Sequence, residues 1–313
     1  MSPISKPSLE VIDIKPRGYC KGVVRALRLV KKTRLDNPDA EISILGRIVH
    51  NRFITAALDF YKIRTLAEPG LSREELLDLV DHGILILSAH GSSERIKTIA
   101  SQKGLKVIDA VCPDVSSTHD HIREALAEDR AVVFIGKAGH PETEAVLANF
   151  PACKLVTTKD DVGNLRFLPS QEITITNQTT LSILEIKDII RKIIDMYPHA
   201  EVVDEICGAT RVRQEAVIRN SNLDALVVVG DPHSNNTAML AQIGWEAGIG
   251  KVFQVETLYD LELDKLRVGW RLGVTSGAST PTYLTNMVSD YLRNLDLAHP
   301  ADLPEIDLAK ILD

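Results

Sequence analysis

Short β-branched runs alternate along the chain with longer segments whose apolar positions recur at helical spacing. The runs "EISILG" (41–46), "GILILS" (83–88), "AVVFIG" (131–136), "EITITN" (172–177), "ALVVVG" (225–230) and "WRLGVTS" (270–276) are each too short for a helix. Runs of this kind, apolar with little alternation, predict strands covered on both faces. Between them, Val23, Leu27 and Val30 predict one amphipathic helix, and Val115, Ile122 and Leu126 a second. Val212, Ala216 and Val217 suggest a third with a less regular stripe. Strands alternating with helices in this way define an α/β fold of βαβ units and parallel sheets.

The elements repeat. "LEVIDIKPRGYCKGVVRAL" (9–27), "GLKVIDAVCPDVSSTHDHIREAL" (104–126) and "EVVDEICGATRVRQEAV" (201–217) each lead a strand through a cysteine into a helix. Cys20, Cys112 and Cys207 lie 92 and 95 residues apart, while Cys153 falls outside the series. Gly46, Gly136 and Gly230 close a second set of strands, each followed within a few residues by a histidine, His50, His140 or His233. A third set ends in small polar residues: "SAHGSS", "TNQTT" and "TSGASTP". Three coincident periods predict three similar α/β modules, 1–103, 104–200 and 201–313, the last carrying a C-terminal tail, "LAHPADLPEIDLAKILD", that docks on the surface. Functional loops gather at the carboxyl ends of parallel strands. A pseudo-threefold arrangement with those ends inward would bring three thiols to one central cavity.

Composition narrows the function classes. With 44% apolar and 25% charged residues, the chain has the make-up of a soluble globular protein. No apolar run is long enough for a membrane span, and the N-terminus lacks the apolar core of a secretory signal, so the expected location is the cytoplasm. A net charge of −7 with no basic stripe argues against nucleic-acid partners. Lys31, Lys32 and Arg34 are expected on the outer, solvated part of a helix. In a reducing compartment, four cysteines are thiols, metal ligands or nucleophiles rather than staples.

Convergent thiolates select soft metals: zinc, copper(I) or iron–sulfur clusters. Close CxxC pairs of the structural zinc kind are absent. A cluster held by three cysteines would leave one iron without a protein ligand, and buried structural thiols remain the alternative. Around them, His50, His90, Thr179, Ser234, Asn236 and Ser279 fall in strand-end loops and offer many donors but few fixed charges, a setting for a phosphate or diphosphate. Glu142, in "GHPETEA", is a carboxylate beside a strand-end glycine and histidine. It reads either as a proton donor or as a first-turn helix acid.

In order, "PRGYCKGV", "GRIVHNRF", "SAHGSS", "DAVCPDV", "GHPETEA", "TNQTT", "EICGATRVRQEAV", "GDPHSNN" and "TSGASTPT" resemble the 4-hydroxy-3-methylbut-2-enyl diphosphate reductase (LytB) family over about residues 10 to 295. The resemblance implies three modules around a [4Fe–4S] cluster held by Cys20, Cys112 and Cys207. It implies a diphosphate held by His50, His90, Ser234, Asn236 and Ser279, with Asn235 assisting. His140 and Thr179 would lie near the substrate hydroxyl, and Glu142 would give the proton. The implied reaction is a two-electron reductive dehydration to isopentenyl and dimethylallyl diphosphate, the last step of the methylerythritol phosphate route, with electrons from ferredoxin or flavodoxin. Lys21, Ala145 and the Thr237–Met239 segment "TAM" depart from the family pattern. They leave room for a divergent paralogue acting on another allylic diphosphate. A non-redox phosphate-binding protein and a thiol-ligated zinc hydrolase are the rivals from other classes.

Overall fold

The computed structural model describes residues 8 to 312. In chain order its elements are β1 (Glu10–Asp13), α1 (Lys21–Asp36), β2 (Ile42–Leu45), α2 (Arg52–Phe60), β3 (Ile63–Leu66), α3 (Arg73–Asp78), β4 (Ile84–Leu87), α4 (Glu94–Gln102) and β5 (Lys106–Asp109). There follow α5 (Pro113–Ala127), β6 (Ala131–Ile135), α6 (Pro141–Asn149), β7 (Lys154–Val156), β8 (Ile173–Asn177), α7 (Ile183–Met196) and β9 (Glu201–Val202). The last are α8 (Gly208–Arg219), β10 (Ala225–Val229), α9 (Asn235–Glu246), β11 (Val252–Val255), β12 (Arg271–Ser276) and α10 (Thr282–Arg293).

The strands form three parallel four-stranded sheets, ordered β3-β2-β4-β5, β7-β6-β8-β9 and, written in the same sense, β11-β10-β12-β1. The expected α/β class with small parallel sheets is therefore the one adopted, and the three sheets share one strand order. The central strands β2, β4, β8 and β10 are buried at every position. That explains the unbroken apolar sequences of β4 and β10. The strands that lead toward the cysteines, β1, β5 and β9, lie at sheet edges and are more polar and more exposed.

Pairing assigns each cysteine-bearing strand to the end of a sheet. β5 pairs with β4, β9 with β8, and β1, from the N-terminus, with β12, Glu10 opposite Arg271. Sheet membership thus divides the chain at different places from the sequence repeat. Two compact units are present, one made of Met1–Lys21, His50–Ala57 and Ala209–Asp313, the other of Gly22–Val49 and Leu58–Gly208. The first contains the sheet with β1. Its core includes Val227, Val229, Phe253, Leu272, Val274, Val288 and Leu292. The second contains the other two sheets, with cores around Leu45, Leu77, Leu85 and Leu87 and around Val133, Ile135, Ile175, Ile186 and Ile193.

Of the helical stripe residues, Val23, Leu27, Val30, Val115, Ile122, Ala216 and Val217 are buried and Leu126 is half-buried, while Val212 is exposed. The inward face of α8 is instead completed by Thr210, Arg213 and Gln214. Arg34 also differs from expectation. Its guanidinium, at the end of α1, donates to the carbonyls of Asn37, Pro38, Ala40, Tyr61 and Lys62, so it ties a helix end to the neighbouring loops rather than facing water.

Candidate functional site

In each sheet the chain leaves the second strand of the written order, crosses to an edge, and returns on the other side. This creates a switch point at the carboxyl ends of β2 and β4, of β6 and β8, and of β10 and β12. Ligands of open parallel sheets bind at such points. The candidate residues fall there: His50 and His90 follow β2 and β4, His140, Glu142 and Thr179 follow β6 and β8, and Ser234, Asn235, Asn236 and Ser279 follow β10 and β12.

Across the second switch point, Glu142 is 1% exposed. Thr179 grips both its oxygens: the backbone N–H donates to Oε1 at 2.8 Å and the hydroxyl to Oε2 at 3.0 Å. Burial penalises the charged form and raises the carboxyl from 4.5 to about 7; the two Thr179 bonds oppose this, and the Glu205 and Asp114 carboxylates add to it. His140 caps α6, its Nδ1 accepting from the Glu142 N–H at 3.2 Å. The proton of the neutral ring therefore sits on Nε2. The His140 ring meets that of His90 edge to face, 5.7 Å between centroids.

Across the third switch point, Ser234 stands at the N-cap of α9 but makes no side-chain cap. Its hydroxyl meets that of Ser279 at 3.1 Å, and Ser279 donates to the His50 carbonyl at 3.1 Å. Asn236 accepts from the Ala278 N–H through Oδ1 and donates to Thr210 through Nδ2, both at 2.9 Å. Ser234, Asn235, Asn236 and Ser279 are all buried, at one helix N-terminus. This cradle carries no cation of its own, and the helix end favours an anion there. It is closely walled: a Cβ on Gly277 would lie 2.1 Å from Thr237 Oγ1, and one on Gly230 2.5 Å from the hydroxyls of Thr237 and Thr280.

The three cysteines share one arrangement. Each immediately precedes a helix, α1, α5 or α8, and none is in a disulfide. Each backbone N–H donates to a carbonyl in the loop after the adjacent strand: Cys112 to Ala89 at 3.0 Å, Cys207 to Thr179 at 3.1 Å and Cys20 to Ala278 at 3.0 Å. Those acceptors are Thr179 itself and the residues preceding His90 and Ser279. Sequence thus placed the cysteines at strand ends, and the structure puts them a few residues further on, at helix starts. Cys153 is different: it is buried among Phe134, Phe150 and Ile122, where burial pushes its thiol up to about 12.

Several supporting residues escaped the sequence reading. Buried Gln178 accepts from the Lys137 N–H and the Thr143 hydroxyl and donates to Thr180, joining the two loops that hold His140 and Thr179. It lies within "TNQTT", where one more polar residue carried no separate signal. Glu205 is bonded by Thr118 and His121, and only its nearness to Cys207 could have marked it. Arg73 holds the Gly91 carbonyl and the Ser92 hydroxyl below His90, and burial lowers its pKa.

Fold and site define a parallel α/β protein with a protonatable buried acid at one switch point and an anion cradle at another. The LytB protein family matches residues 11–293, and the chain belongs to it. The 4-hydroxy-3-methylbut-2-enyl diphosphate reductase of Anoxybacillus flavithermus is 43% identical over 311 residues, 97% of this chain and 98% of that one. The Bacillus licheniformis protein of the same name is 43% identical over 310 residues, 97% of this chain and 98% of its own. Among solved structures, the E-1-hydroxy-2-methyl-but-2-enyl-4-diphosphate reductase of Plasmodium falciparum superposes with a TM-score of 0.84 at 30% identity, covering 98% of this chain and 97% of that one. Among the described residues, no helix is long and apolar enough to cross a membrane.

Proposed function

We propose that the chain is an iron–sulfur reductase that converts 4-hydroxy-3-methylbut-2-enyl diphosphate into isopentenyl and dimethylallyl diphosphate. The observation that carries this reading is Glu142, a buried acid that holds its proton to about pH 7 on a chain related end to end to reductases of that name. The reaction consumes two electrons and two protons: the allylic carbon–oxygen bond breaks, the oxygen leaves as water, and the second proton ends on carbon.

The donor set fits a cluster. Three thiols outside any disulfide stand at helix starts, and each is pinned by its own N–H. Among the described residues, no group of three or more His, Cys, Asp or Glu side chains could hold a metal ion. A cube is held differently, each thiolate on its own iron. Cys20, Cys112 and Cys207 would hold a [4Fe–4S] cluster, which when bound supplies electrons singly and a Lewis-acidic iron without a protein ligand. Electrons would come from ferredoxin or flavodoxin, in the cytoplasm.

The remaining chemistry belongs to the chain. His50, His90, Ser234, Asn235, Asn236 and Ser279 hold the diphosphate, fixing the far end of the substrate so that its hydroxyl is not free to tumble. Thr179 orients the Glu142 carboxyl through two hydrogen bonds, and His140, whose Nδ1 accepts from the Glu142 N–H, would lie near the hydroxyl end of the substrate. Glu142 delivers a proton to the departing oxygen, which would otherwise leave as hydroxide.

Glu142→Gln tests the reading. The variant is expected to keep its iron and its diphosphate affinity while turnover falls about 10²- to 10⁴-fold, the usual worth of a general acid. Anaerobic purification with iron and sulfide analysis, followed by single-turnover assay, measures both. Wild-type turnover in the variant refutes the proton donor, and a colourless, iron-free wild-type protein that is fully active refutes the reductase.

A further inference from the structure

Most of the C-terminal segment is exposed from Ala301 to Lys310, yet Ile311 and Leu312 are 0% and 5% exposed. Four tyrosine hydroxyls hold its backbone. Tyr291 donates to the Ala301 carbonyl at 2.7 Å, Tyr259 to Pro304 at 3.1 Å, Tyr283 to Glu305 at 3.3 Å and Tyr19 to Ile311 at 2.6 Å. The Asp307 N–H returns a bond to the Tyr283 hydroxyl at 3.2 Å, and the Lys310 ammonium lies 5.6 Å from the centre of the same ring. Between α10 and residues 301–304 a cavity of about 530 Å³ remains. The segment therefore spans the helix face as a tethered length of chain, fixed at points.

Its last tether is the residue before Cys20. The loop on the other side of Tyr19 is closed by main-chain contacts: the Gly18 N–H donates to Ser276 Oγ at 2.7 Å, Arg213 donates to the Gly18 carbonyl at 2.9 Å, and the Cys20 N–H donates to Ala278. Gly18, at φ +77, could not carry a side chain, since a Cβ would fall 2.5 Å from Thr282 Oγ1. Among these contacts, the tail bond is the one made by a side chain of the Gly18–Tyr19–Cys20 segment itself.

We infer that the C-terminal segment is a strap that positions the Cys20 loop through the Tyr19–Ile311 bond, with the buried Ile311 and Leu312 as its anchor. Tyr19 and Ile311 are positioning residues, acting through the Cys20 loop. The assignment of Cys20 as a cluster ligand rests on the proposed function, but the strap itself does not.

Two variants test it in the full protein: Tyr19→Phe, which removes one hydroxyl, and deletion of residues 308–313. Iron release to a chelator is followed from the anaerobically purified protein, and iodoacetamide labelling of Cys20 and Cys207 is followed by mass spectrometry after the iron is removed. Cys20 is expected to label roughly fivefold faster in Tyr19→Phe, the factor lost with one ordinary hydrogen bond, and iron to leave faster. Cys207 labelling should not change. An unaltered Cys20 rate, or equal acceleration at both thiols, overturns the strap. If the deletion fails to fold, Tyr19→Phe decides alone. Should the wild-type protein hold no iron, the functional reading fails while the labelling ratio still reports on the strap.

Discussion

At Glu142 two opposing influences act on one carboxyl. Hydrogen bonds from the Thr179 N–H and hydroxyl favour the carboxylate, yet burial outweighs them and the group titrates near 7. Its first-turn place in α6 is that of the helix acid, and its burial is what supports the proton-donor role proposed for it; depth is a tertiary property that "GHPETEA" does not contain. Because the folded value lies above the unfolded 4.5, the folded state holds the extra proton between the two, and stability is fully present below about 4.5 and declines as pH rises through 7. Thermal melts of the wild-type protein should therefore show a downward slope between pH 5 and 7.5 that Glu142→Gln lacks, and single-turnover rates should fall above pH 7. Identical pH slopes in the two proteins would remove Glu142 as the titrating group. Cys153 shows the reverse case: its thiol is inert by burial, so Cys153→Ser should keep the full iron content and lower stability by about 1 to 3 kcal/mol, the cost of a hydroxyl in an apolar site. Iron analysis and a denaturant titration check the two halves.

Among elements, the strands were legible and their ranks were not. "ALVVVG" and "GILILS" read as buried strands because parallel strands covered on both faces need no alternation, and their strands β10 and β4 are buried throughout. The edge strands β1 and β9 were legible in "LEVIDIK" and "EVVDEIC", but their places in the sheets were not: β1 pairs at long range, Glu10 with Arg271, and β9 with β8, which local pattern does not encode. Ser234, Asn236 and Ser279 were read as strand-end donors suited to an anion; what sequence could not show is how tightly Gly230 and Gly277 admit Thr237, first residue of "TAM". Thr237 Oγ1 is buried without a hydrogen-bond partner directly over Gly277. Gly277→Ala is expected to cost about 1 to 3 kcal/mol by overpacking and to weaken inorganic pyrophosphate binding. Adding Thr237→Ala, which deletes the nearest atom, should restore part of both losses, and a double-mutant cycle on stability measures the coupling. Strictly additive effects would mean that the close approach is relieved elsewhere.

The whole chain repeats one device three times. A sheet of fixed strand order ends in a polar edge strand, the edge strand leads to a cysteine at a helix start, and the cysteine N–H is fastened to the loop after the neighbouring strand. The spacing of Cys20, Cys112 and Cys207 made the repetition visible in sequence, since equivalent elements recur at equal length. The fastening was invisible, because Ala89, Thr179 and Ala278 act through their backbone carbonyls, which any residue type supplies. This economy has a consequence for substitutions. The pin is a backbone bond, so replacing any of the three thiols by a hydroxyl leaves the loop in place and removes only the soft ligand. Cys20→Ser, Cys112→Ser and Cys207→Ser should therefore each melt within a few degrees of the iron-free wild-type protein, while iron content under anaerobic purification drops from about four per chain toward zero. Three variants that behave alike would be the mark of one shared group. A variant that retains its iron would exclude that cysteine as a ligand, whereas one that unfolds would show that the thiol, and not the backbone bond, holds its loop.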